Sequence, residues 1–73
     1  MKSDEAAANL LLTRLEHISA DSYWAHRASG IRRSLVRILE SLEQNIPVQD
    51  SVLRPLLEQG FFVLEQAARE KMQ

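Results

Sequence analysis

Residues that could carry acid, base, nucleophilic or metal chemistry are few in this chain, and their spacing limits what they could do. Cysteine is absent, which removes disulfides, thiolate metal sites and thiol nucleophiles together. His17 and His26 could be imagined with Glu16 as metal ligands. Their spacing, however, matches neither the HExxH pattern nor any ligand pair one helical turn apart. Ser22 and Ser29 could serve as nucleophiles beside those histidines, yet no oxyanion motif, glycine-rich phosphate loop or carboxylate dyad accompanies them. A bundle of this size is also expected to lack volume for a pocket of ordinary ligand size. The reading is therefore non-enzymatic, with no metal and no cofactor.

The densest chemistry lies in WAHRASGIRRSLVRILE, residues 24–40, where four arginines and a histidine precede the first acid, Glu40. At about 100° per residue, Trp24, Ala28, Ile31, Leu35, Ile38, Leu39 and Leu42 fall on one side of a helix. His26, Arg33, Arg37 and Gln44 lie opposite with Gly30 beside them, and Arg27 and Arg32 border the apolar stripe. The long stems of the bordering pair can lie over leucines while their charged ends reach water or a neighbouring acid. Arg33 and Arg37, four residues apart, repel each other by a few tenths of a kcal/mol. Their placement before Glu40 and Glu43 also opposes the helix dipole, which favours acids early and bases late. Such an arrangement calls for a counter-charge from outside the helix.

Two sources could supply it: an acidic surface on a protein partner or neighbouring subunit, or phosphates. Arginine outnumbers lysine seven to two, and the guanidinium fork suits bidentate pairing with carboxylates or phosphates. The net charge of −1 gives no global attraction to nucleic acid or an anionic membrane. Six acids against three bases follow residue 37, and four against two precede residue 22, which disfavours insertion into a nucleic-acid groove. The expected partner-binding residues are Arg33 and Arg37 with His26, Arg27 and Arg32, facing an acidic protein surface. A small nucleic-acid-binding regulator using Arg27, Arg32, Arg33 and Arg37 on phosphates is the alternative.

Helices must position these groups, because apolar residues recur at three and four rather than at two. The first helix is expected over about 4–18, with Ser3 as N-cap and Asp4 and Glu5 at the positive end of the dipole. Its stripe is Ala7, Ala8, Leu11, Leu15 and Ile18, widened on opposite sides by Leu10 and Leu12. Ser19 or Asp21 can cap a second helix over about 22–44, although SADS lacks glycine and proline and a single bent helix stays possible. Asn45 suits a left-handed C-cap and Pro47 cannot continue the spiral. A third helix is expected over about 51–72, with Pro55 requiring either a first-turn position or a bend. Its face holds Leu53, Leu56, Leu57, Leu64, Ala67 and Ala68 around Gly60, whose missing side chain would let another helix approach closely. Phe62 falls nearly opposite that face and Phe61 at its edge; Trp24 reads as a packing anchor and Tyr23 as the exposed neighbour.

One domain over residues 1–73 is all the length allows, and a chain this short is marginally stable alone. At 45% hydrophobic residues it is too apolar to be disordered. The expected fold is all-α, a helical hairpin or three-helix bundle that associates into a larger bundle as a dimer, with Leu10, Leu12, Gly60, Phe61 and Phe62 at the interface. Neither a signal-peptide layout nor an apolar run long enough to span a bilayer occurs, so a cytoplasmic protein is expected.

Overall fold

Periodicity at three and four resolves into three helices in the computed structural model, which describes residues 2–72 and, of these, the side chains from residue 4 onward. Helix α1 spans Lys2–Glu16, α2 Ala25–Glu43 and α3 Asp50–Lys71. Helix α1 starts one residue ahead of Ser3, so Ser3 is a helical residue and not the N-cap; the capping position itself lies outside the described residues. Eight residues separate α1 from α2, which excludes the single bent helix.

Each helix packs against both others, giving an up-down-up three-helix bundle measuring 42 × 17 × 16 Å. Leu15 of α1 and Ile18 just beyond it line one depression with Ala25 and Ala28 of α2, and Ser22, just ahead of α2, bonds Glu70 near the end of α3. Both neighbouring pairs are therefore antiparallel, and α1 runs parallel to α3 with Leu11 against Gly60. The buried core consists of Ala8, Leu11, Leu15, Ala28, Ile31, Leu35, Leu53, Val63 and Ala67. Three of these nine are alanines, so the helices are held close by small residues and the core volume is modest. The α1 and α2 stripes match their sequence patterns. The centre of the α3 face is turned toward Val63, with Gly60 and Ala67 buried, Leu57 and Leu64 half-buried and Ala68 exposed. That rotation follows from α3 filling the seam between two helices at once.

The 44–49 connection is built as the sequence reads. Asn45 has φ 60°, the Ile46 N–H donates to the Ser41 carbonyl (2.8 Å) and the Asn45 N–H to the Leu42 carbonyl (3.1 Å). This is the paired hydrogen-bond pattern of a left-handed helix stop. Helix α3 then begins at Asp50, places Pro55 in its second turn and continues past it. The Pro55 nitrogen cannot donate to the Ser51 carbonyl, and both residues are exposed, so water can take that acceptor.

Candidate partner-binding surface

Helix α2 begins without a local cap and without an acid in its first turn. The negative charge its N-terminus favours comes from the far end of the chain. Glu70 of α3 accepts the Ser22 hydroxyl at Oε1 (2.6 Å) and the Tyr23 N–H at Oε2 (3.1 Å). The Ser22 oxygen in turn accepts the Trp24 N–H (3.1 Å). A carboxylate held at a helix start is favoured by the dipole, and here it ties the turn ahead of α2 to the end of α3 without accepting an amide of α2 itself. Sequence reading placed the cap at Ser19 or Asp21; Ser19 instead accepts only the Asp21 N–H at 3.3 Å. Glu70, 48 residues from Ser22, leaves no local signal to find.

The same junction carries the aromatics. Trp24 meets Tyr23 edge-on (centroids 5.4 Å apart) and Phe62 edge-on (5.8 Å), joining α2 to α3. Phe62 is thus half-covered by Trp24, at 49% exposure, and not left wholly in water as its position opposite the α3 face suggested. The indole is long enough to reach around the helix. Tyr23 is 81% exposed, as expected.

The five residues expected to bind a partner do not form one patch. Arg27 lies on the α3 side of α2, its Cζ 5.9 Å from the Trp24 ring centroid, a cation–π arrangement. Exposed His26 and the other three arginines are turned elsewhere. Arg32, Arg33 and Arg37 rim an open trough between α1 and α2, of about 580 Å³, floored by Leu12 and Val36 and also touched by Glu16 and Glu40. None of these arginines has a carboxylate within ion-pair distance; among the described residues the one ion pair is Arg69–Glu65 in α3 (3.5 Å). Arg32 bonds Ser29 through Nη2 (3.3 Å), while its Nε is covered and has no acceptor. Leaving such a donor unpaired costs about 1–3 kcal/mol, but the atom is shut off from solvent; what the open trough presents is the charged ends of Arg33 and Arg37, which have no ion-pair partner among the described residues.

Of the residues expected at a subunit interface, Leu10 (51% exposed), Phe61 (43%) and Phe62 are open. Leu12 packs partly against the core of its own chain. Gly60 is buried beneath Leu11, so the close approach its missing side chain permits is made within the monomer; this corrects its assignment to an interface between copies. Contrary to the expected lack of pocket volume, troughs of about 470 and 580 Å³ run between the helices, both open to solvent.

Among the described residues, no three histidine or acidic side chains come together to hold a metal, and no helix is long and apolar enough to cross a membrane. His17 donates through Nδ1 to the Thr13 carbonyl (2.7 Å), and the Ser22 hydroxyl is engaged by Glu70. Neither serine singled out by sequence is hydrogen-bonded to a histidine among the described residues. Comparison with protein-family models, curated proteins and solved structures found no match.

Proposed function

We propose that this chain is a non-enzymatic interaction and assembly module that dimerises through its surplus apolar surface and offers α2 to an acidic protein partner. The observation that carries the reading is the trough between α1 and α2. Among the described residues Arg32, Arg33 and Arg37 have no carboxylate within ion-pair distance, and they border this trough together with the apolar Leu12 and Val36. An amphipathic acidic helix fits that chemistry: its apolar residues would cover Leu12 and Val36, and its carboxylates would give the guanidinium groups bidentate partners. Charge would set orientation and approach rate, and burial most of the affinity.

The nucleic-acid alternative is supported less well, because Arg27 sits on Trp24 at the opposite border of α2 and only three of its four arginines share the trough. Binding of a labelled acidic amphipathic peptide, followed by fluorescence anisotropy, tests the reading. Binding should weaken with salt and disappear in the Arg33→Glu/Arg37→Glu double variant at unchanged helicity. Association instead with random oligonucleotides, with a log K against log salt slope near −3.6 for four neutralised phosphates, would favour the alternative. Binding to neither would remove both.

A further inference from the structure

We propose that two copies pair through α3 in antiparallel orientation, with Leu57, Phe61 and Leu64 interleaved and Arg54 of each copy paired with Glu65 of the other. This rests on the dimerisation half of the reading above and specifies its geometry. The core side of α3 is Leu53, Gly60, Val63 and Ala67. One step around the helix toward α1, Leu57, Phe61, Leu64 and Ala68 recur at spacings of four, three and four, the pattern of a helix-pairing seam. None of these four is buried within the chain.

Two open depressions lie along this stripe. One, of about 530 Å³, takes in Leu57 and Phe61 and is rimmed by Arg54, Glu58 and Glu65; the other, of about 470 Å³, takes in Leu64 and Ala68. Leu10 of α1, half exposed, stands level with Gln59, because the next residue, Leu11, seats on Gly60 of the parallel α3. The stripe from Leu57 to Ala68 is roughly 16 Å long at 1.5 Å per residue, and a lone bundle covers Leu57 and Leu64 only in part and leaves Phe61 and Ala68 exposed.

Charge selects the occupant. Arg54, Glu58 and Glu65 lie on one flank of the stripe, and a twofold axis perpendicular to a helix brings each flank onto the same flank of the other copy. With that axis level with the Gln59–Gly60 peptide, Arg54 stands opposite Glu65 of the second copy, and the relation holds in both directions. Leu57 then faces the gap between Phe61 and Leu64, as knobs-into-holes packing requires. Glu65, already beside Arg69 of its own helix with both side chains more than half exposed, would be shared between two guanidinium groups.

The test is a charge exchange read by analytical ultracentrifugation. Arg54→Glu and Glu65→Arg should each weaken the dimer roughly tenfold or more, since two symmetric attractions become repulsions. The double exchange should return the affinity close to that of the unaltered chain, and circular dichroism should show the same helicity throughout. Because the chain lacks cysteine, mixing Arg54→Cys with Glu65→Cys protein should give the mixed disulfide in preference to either like pair. A dimer indifferent to the exchange, or one that cross-links residue 54 to residue 54, overturns the α3 arrangement while leaving dimerisation intact. A monomer at every concentration overturns both.

Discussion

Gly60→Ala offers a sharp test of how this bundle is held together. In an unconstrained helix interior, alanine is favoured over glycine by about 1 kcal/mol. Here the added methyl would lie well inside van der Waals contact of Leu11 Cδ2 and 3.0 Å from both Cδ1 and Cγ. Leu11 has no exposed surface and is enclosed by the core cluster, so its side chain has nowhere free to swing. Overpacking of this kind costs about 1–3 kcal/mol, which outweighs the helical gain and leaves a net loss of about 1 kcal/mol. For a domain of this length that lowers Tm by about 4–8 °C. In a Leu11→Ala background, itself expected to cost about 2–5 kcal/mol, the clash is gone and the methyl fills part of the cavity. There Gly60→Ala should change sign and stabilise by about 1 kcal/mol. Urea unfolding of the four proteins at one fixed concentration completes the double-mutant cycle, the concentration being held because self-association adds to apparent stability. A Gly60→Ala protein more stable than the parent, or effects that simply add, would refute the Leu11–Gly60 contact as the determinant of α1–α3 packing.

Two further expectations follow from the connections. Glu70→Gln keeps the size of the side chain but removes the charge near the α2 N-terminus, and should cost about 1–2 kcal/mol by thermal unfolding; hydrogen exchange should rise at the Tyr23 amide that Glu70 accepts, and an unchanged exchange pattern would deny Glu70 its bridging role. At Asn45, alanine should destabilise by about 1 kcal/mol because φ is positive, whereas glycine should be neutral or slightly stabilising; equal behaviour of the two in denaturant melts would mean that the left-handed stop contributes nothing.

What the sequence determined by itself was whatever is encoded within a few turns of chain. The three-to-four periodicity specified helices, and the α1 and α2 stripes identified Leu11, Leu15, Ala28, Ile31 and Leu35 as core. The stop at Asn45 was legible because its hydrogen bonds close within six residues. The break between α1 and α2 was legible at residues 19–22, but not the contact that holds the turn before α2, since Glu70 is brought to Ser22 and Tyr23 only by tertiary packing. Packing also decided that Gly60 serves Leu11 of its own chain and that α3 turns Val63 inward. A helical wheel records the direction of a side chain from its own axis alone. Which neighbour stands in that direction depends on the angles among three axes, and those are set by the collective fit of the alanines, glycine and leucines between them.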